Sequence, residues 1–211
     1  MRRKTAPDAG APVLSPYQEA LRRRLLDAPV VPAPEPWRDV FGGCAAVGGL
    51  TGIGFDVDPA TGHDLVMVVS HDGYGVFDAV TGERIARDRD PEDDGPDGTP
   101  DLSCPGIGPL AGRRVRVAGL FGGGLHGTSG DGWTVDVEAP DWPNHRVLLS
   151  ANGGNWHRPP HTDGWWHVFH STWSTLRAAG FSPSGRTLAV ATSSDLTLWT
   201  RHPARATDGR P

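Results

Sequence analysis

Lysine is almost missing from this chain: Lys4 is the one lysine among 20 basic residues, and arginine supplies the rest. We read that bias as the codon usage of a GC-rich, bacterial genome, with no mechanism attached. Basic charge is not in excess either. Against 25 acidic residues the formal net charge is −5, which argues against nucleic acid as a partner. The nine histidines are the reserve, because protonating all of them takes the formal charge from −5 to +4. Surface properties should therefore swing below about pH 6.5. Cysteine stops at Cys44 and Cys104, too few for a disulfide framework or a cysteine zinc site. No apolar run approaches the roughly 18 residues of a membrane span, and the basic start Met1–Thr5 continues into Pro and Asp instead of an apolar stretch. These absences predict a reduced, cytoplasmic protein without a membrane partner. No nucleophile elbow, phosphate-cradling Walker loop or paired-carboxylate signature is present, and no cofactor is expected.

Turn formers are abundant instead. The 211 residues include 29 Gly and 20 Pro, with an apolar fraction of 37%. That balance suits many short strands joined by tight turns, and the length suits one domain. Residues 1–14 read as a Pro/Ala-rich tail. Residues 15–27 read as a docking helix, with Ser15 as N-cap, Pro16 at the first helical position and Gln18 closing a capping box. Tyr17, Leu21 and Leu25 share one face, Arg22–Arg24 lie mostly off it, and Pro29 stops the helix. Residues 28–43 read as a linker whose Pro-rich part, 28–36, is stiff. The β body spans 44–201 and a polar tail 202–211. Eleven strands are expected within it: 50–56, 64–70, 74–79, 83–88, 113–120, 132–138, 145–150, 165–170, 176–182, 187–193 and 195–200.

One β unit is written twice. Leu50/Leu176, Gly54/Gly180 and Phe55/Phe181 are each 126 residues apart. Leu65/Leu188, Ser70/Ser193 and Asp72/Asp195 are each 123 apart, implying three extra residues in the first turn of the first copy. Phe77 and Trp199 miss that spacing by one. A repeated supersecondary unit implies a core made by stacking neighbours.

The segment Phe181-Ser182-Pro183-Ser184-Gly185-Arg186-Thr187-Leu188-Ala189-Val190, followed by Asp195-Leu196-Thr197-Leu198-Trp199, resembles a blade of a WD-repeat β-propeller. Phe77-Asp78-Ala79-Val80-Thr81-Gly82-Glu83 is similar to the end of that family's third strand and its turn into the fourth. The likeness is strong over about 75 residues and weak over about 70 more; the Trp-Asp pair stands as Phe77-Asp78 in one copy and Trp199-Thr200 in the other. The resemblance implies an all-β, small propeller-like body of about three four-stranded blades, where closed propellers have four to eight. Two closures are open: the N-terminal segment pairs with the last strand, or two chains form a six-bladed homodimeric ring that hides the sheet edges. The first is favoured.

The densest chemistry is Trp156–Trp173, with four Trp and four His in 18 residues. It reads either as blade-packing rings, as an aromatic partner surface, or as a metal site of His157, His161 and His167. His167 and His170 point to opposite faces of a strand, which disfavours that pair as ligands. The partner surface is placed on Trp156, His157, His161, Trp165 and Trp166, with His71, Tyr74 and His126 contributing from hairpin loops. The acidic run 88–101 sets Asp90, Glu92, Asp94 and Asp101 at positions 1, 3, 5 and 12 of a calcium-loop pattern. Pro91 and Pro96 interrupt it and no amphipathic helices flank it, so a solvated loop is the better reading. Gly122–Gly127 matches a dinucleotide fingerprint that no helix-forming sequence follows, and Ser70-His71-Asp72 is a hairpin tip, not a catalytic triad.

The resemblance implies a non-catalytic protein-interaction module, a scaffold, adaptor or inhibitor-type binder whose partner is another protein. The alternatives are a metal-dependent enzyme or sensor using the His-rich 157–170 segment, and a structural homo-oligomer.

Overall fold

A computed structural model describes residues 13–92, 95–158 and 164–201. Helix α1 (Pro16–Asp27) begins as the capping chemistry dictates: Ser15 Oγ accepts from the Gln18 N–H, and Gln18 Oε1 accepts from the Ser15 N–H at 2.9 Å. Fifteen strands follow among the described residues: β1 (Arg38–Asp39), β2 (Ala45–Ala46), β3 (Leu50–Val57), β4 (Asp64–Ser70), β5 (Gly73–Asp78), β6 (Arg84–Asp88), β7 (Ser103–Pro105), β8 (Arg114–Arg116), β9 (Ala118–Gly119), β10 (Trp133–Asp141), β11 (Asn144–Ala151), β12 (Trp165–Ser171), β13 (Leu176–Phe181), β14 (Thr187–Thr192) and β15 (Asp195–Thr200). All eleven expected strands form; the one over 113–120 is broken at Val117 into β8 and β9.

The strands make four antiparallel sheets. One runs β6-β5-β4-β3-β9, one runs β1-β15-β14-β13 with β2 also on β15, one is β10-β11-β12, and one is the pair β7-β8. The fold is all-β as expected. The sheets hold five, five, three and two strands and none closes on itself, so three four-stranded blades are not what the sheets display. The physical reason lies in the middle of the chain. The segments around β7, β8 and β9 are short pieces between Gly- and Pro-rich turns, which cannot sustain a full ladder.

The two repeat copies occupy matching places. β3-β4-β5 and β13-β14-β15 are meanders of the same order, and each has its register shift at the same point, between Leu50 and Gly52 in one and between Leu176 and Ala178 in the other. Pairing corrects the alignment by one residue. Phe55 faces Val66 where Phe181 faces Leu188, so Val66 rather than Leu65 is the partner of Leu188. Phe77 and Trp199 then fall in line, each opposite that residue on the third strand. In the last sheet the fourth position, which β6 fills beside β5, is taken by the N-terminal pieces: Arg38 faces Thr200, and Ala45 faces Leu196. Pairing of the N-terminal segment with the last strand is therefore observed, and β1 lies inside the stretch expected as linker.

Apolar clusters lie between successive sheets. Leu50, Ile53, Val66, Val68 and Phe77 meet Ala189, Ala191, Leu196 and Leu198 between the two repeat sheets. Met67, Tyr74 and Val76 meet Cys104, Leu110 and Val115 of the β7-β8 region. Trp37, Phe181, Leu188 and Trp199 meet Val147, Leu149 and Val168 of the three-stranded sheet. The repeat glycines serve close approach. A Cβ on Gly54 would overlap the Arg116 carbonyl, and one on Gly180 would sit 2.5 Å from Leu125 Cβ. A polar tie joins the repeat sheets: buried Asp64 accepts from the hydroxyls of Ser182 (2.8 Å), Ser184 (2.7 Å) and Thr187 (2.8 Å). Arg201 pairs with Asp131 and lies 4.7 Å above the Trp37 ring, fastening the end of β15 to the segment before β1.

No helix of the described residues is long and apolar enough to cross a membrane.

Candidate functional site

The aromatic-rich stretch does not form one surface. Along β12 the side chains alternate between faces except at Val168, where the register against β11 shifts, and the His167 and His170 rings come within 5.9 Å of each other instead of pointing to opposite faces. Trp165 is 0% exposed, donates its indole N–H to the Arg158 carbonyl at 2.9 Å, and packs with Leu25, Ala28 and Leu148 beneath α1. Trp166 is half-buried on the other side, 6.0 Å from Trp133. Trp156 is half-buried, stacked 4.1 Å from the His157 ring. That ring lies nearly parallel to Tyr17, whose hydroxyl is 3.1 Å from His157 Nδ1. The burial of Trp165 removes it from any contact surface. Trp156 and His157 belong to the seat of the helix, which Arg22 also grips by donating to the Pro140 carbonyl at 2.7 Å. Arg22 thus departs from the solvated face expected of the arginine triplet. His161 lies outside the described residues.

The hairpin residues separate in role. Tyr74 is only 4% exposed and belongs to the core, although with exposed His71, Arg89, Asp90 and Phe121 it lines a cleft of about 310 Å³. His126 is exposed, and its carbonyl accepts from the Phe181 N–H. Ser70 Oγ donates to the Gly73 carbonyl at 2.9 Å, the geometry of a hairpin tip. Asp90 and Glu92 are exposed, Asp94 lies outside the described residues, and Asp101 accepts from the Ser103 hydroxyl at 2.7 Å. Among the described residues no three His, Cys, Asp or Glu side chains gather as metal ligands.

His167 and His170 belong to a buried polar group instead. His167 Nδ1 lies 2.9 Å from the Ala28 carbonyl, where it can donate only as the Nδ1–H tautomer. Asp141 stands between Arg146 (3.7 Å) and His170 Nε2 (3.8 Å). Burial, with Arg146 close by, pushes both histidines below their ordinary value, although the Ala28 carbonyl acts the other way on His167 and Asp141 does so on His170.

The exposed tryptophans are Trp173, which closes the expected Trp156–Trp173 stretch, and Trp142, which lies outside it. Trp173, just past β12, is 97% exposed, and Trp142, in the two-residue turn between β10 and β11, is 77% exposed. Beside Trp173 a groove of about 240 Å³ is lined by Pro143, Asn144, Ser171, Thr172, Trp173, Ser174, Thr175 and Ser193, with no charged side chain. Trp142 stands edge-on to His145, ring centres 5.6 Å apart. Comparison with protein-family models, with curated proteins and with solved structures finds no match to this chain. The site is therefore read from its own chemistry. Exposed indoles beside neutral hydroxyls offer flat apolar contact and hydrogen-bond donors. Sequence alone could have flagged Trp142, since Trp-Pro in a short turn between two strands must stand clear of both ladders. Trp173 is the last of the four Trp in the stretch read as a candidate partner surface.

Proposed function

We propose that this chain is a non-catalytic protein-interaction module of propeller-like architecture, working in the cytoplasm as a scaffold or inhibitor-type binder of another protein. The observation that carries the reading is the pair Trp142 and Trp173, held almost free of protein contact at one end of the three-stranded sheet. Large rigid rings give a partner much buried area at little entropy cost, and tryptophan is the residue type most enriched among energetic anchors of interfaces. The resemblance of the two repeat copies to WD-repeat blades adds support. Two equivalent meanders, the second completed by the N-terminal strands, form the rigid body that holds those rims in place.

Immobilised wild-type chain and the Trp142→Ala/Trp173→Ala double variant, both melting cooperatively, are offered the same cytoplasmic extract under cross-linking. Loss of the cross-linked partner bands in the double variant is the expected result. Equal recovery of the same proteins by both removes the reading. Light scattering on the two samples decides whether the partner is a second copy: a wild-type dimer that becomes monomeric in the variant moves the function to a structural homo-oligomer.

A further inference from the structure

We infer that the notch where β5 and β6 meet the segment 46–48 binds a small carboxylate. It shares no residue with the groove beside Trp173, and the inference does not rest on the reading of Trp142 and Trp173 as anchors. The notch holds about 80 Å³, and its lining includes Val47, Val68, Asp72, Gly75, Arg84 and Arg87.

Both arginines reach it because β6 carries one extra residue. On a regular strand, residues three apart point to opposite faces. Here Arg84 faces Phe77 and Arg87 faces Gly75, with a register shift between them, so both stand over one face of the sheet. The shift turns Ile85 and Ala86 together towards the cluster of Met67, Val76 and Leu110. The opposite face is left to the two guanidinium groups. Gly75 puts no side chain beneath them, and a Cβ there would come within 3.1 Å of Val68 Cγ2. The floor of the notch therefore stays open.

Charge selects the ligand. Among the described residues neither Arg84 nor Arg87 has a hydrogen-bond or ion-pair partner. Arg113, Arg146 and Arg201 differ, since each pairs with an aspartate. Asp72 is the one acid among the lining residues, so two guanidinium groups and one carboxylate leave a formal charge of +1. One carboxylate neutralises it. A cation would meet two like charges, and a dianion would leave negative charge in excess beside Asp72. Guanidinium also matches a carboxylate in shape, through two parallel N–H donors. Val47, Val68 and Phe77 offer the apolar wall for the rest of the ligand. At roughly 10–15 Å³ for each water-sized group, the space admits on the order of five to eight non-hydrogen atoms. Propionate fits, and so does the side chain of a glutamate. The acid is either free in solution or carried by a protein partner.

The test follows the backbone amides of the full chain in proton–nitrogen correlation spectra at constant ionic strength, with chloride as the balancing anion. Sodium propionate, sodium sulfate and propylammonium chloride are added in turn. Propionate should shift the amides of Gly73, Gly75 and Arg87 along saturable curves in the millimolar range, as suits a ligand of so few atoms. Sulfate should bind more weakly, and propylammonium should leave those amides in place. Arg84→Gln and Arg87→Gln should each weaken propionate roughly threefold or more, and Asp72→Asn should tighten it, each variant keeping a cooperative melt. No saturable shift up to about 100 mM propionate overturns the inference. So do curves that neither arginine variant weakens, and so does sulfate binding as tight as that of propionate. Trp142→Ala/Trp173→Ala should bind propionate as the wild type does, so the two sites stand or fall separately. The source of the acid is read by offering the Arg84→Gln/Arg87→Gln variant the same extract under cross-linking. Loss of partner bands assigns the carboxylate to an acidic residue of the partner, and bands equal to wild type assign it to a free acid.

Discussion

A carboxylate that accepts from three hydroxyls at once is committed to its place. Asp64 receives Ser182 and Ser184 from the first turn of the other repeat sheet and Thr187 from the start of β14. Truncation would strand those donors in a buried site, and hydrogen bonds to a charged group contribute about 1.5–3 kcal/mol each, though not additively. Asp64→Ala should therefore lower unfolding free energy by about 3 kcal/mol in urea melts, whereas Trp173→Ala, almost wholly in solvent, should stay within about 0.5 kcal/mol of wild type. A loss near zero for Asp64→Ala would remove the tie between the sheets. The buried histidines set a pH dependence of definite sign. Both His167 and His170 sit below their ordinary value of 6.5 in the fold, so below about pH 6.5 the unfolded chain binds more protons than the folded one. Their contribution is present above that pH and is lost as pH falls through it. Melting temperature should drop between pH 7.5 and 5.5, and less steeply in His167→Gln/His170→Gln, which cannot titrate there. An equal slope in both proteins would exclude these two groups as the cause.

Among elements, α1 and the strands after it do different work. The helix is seated through Leu25, the Arg22–Pro140 bond and the Tyr17–His157–Trp156 stack, all on the three-stranded sheet. It completes no ladder. β1 and β2 instead fill the outer position of the last repeat sheet, and Trp37 sits in the cluster between that sheet and the three-stranded one. Removing residues 1–27 should lower the melting temperature but leave one cooperative transition. Removing residues 1–46 should abolish the transition, because β15 then loses its neighbour and Trp199 loses its cover. Cooperative melting of the shorter chain would mean that the last sheet needs no outer strand. The element scale also shows how far the sequence could be read. Alternation and turn residues marked all eleven strands, most plainly those that bury apolar runs, such as β4, β5, β14 and β15. β1, β2 and β7 left no trace, since two or three residues carry no period. Apolar letters alone place the two copies one residue out of step, since Phe55 pairs with Val66 where Phe181 pairs with Leu188. Register is fixed instead by which residues pair across the ladder.

For the whole molecule, the longest tie is between its ends: Arg38 pairs with Thr200 across almost the full described chain. Contacts of such separation demand loop closure before they are rewarded, and antiparallel β proteins with many of them fold on the order of milliseconds to seconds. Stopped-flow tryptophan fluorescence should show refolding on that scale, and Asp39→Pro, which puts a proline opposite Trp199 in β1, should accelerate unfolding more than it slows folding. The reverse partition would place end closure early.

The sequence by itself determined the class and the repeat: short alternating runs between Gly and Pro turns can only be an antiparallel β body, and the Phe-Ser-Pro-Ser-Gly turn announces the meander. It also determined the helix cap, because Ser15 and Gln18 act within one turn. Tertiary structure decided which rings face solvent. Eight tryptophans are chemically alike as letters. Trp165 is core because α1 folds over it, while Trp173 is bare because no described segment does, and coverage of that kind belongs to the path of distant chain.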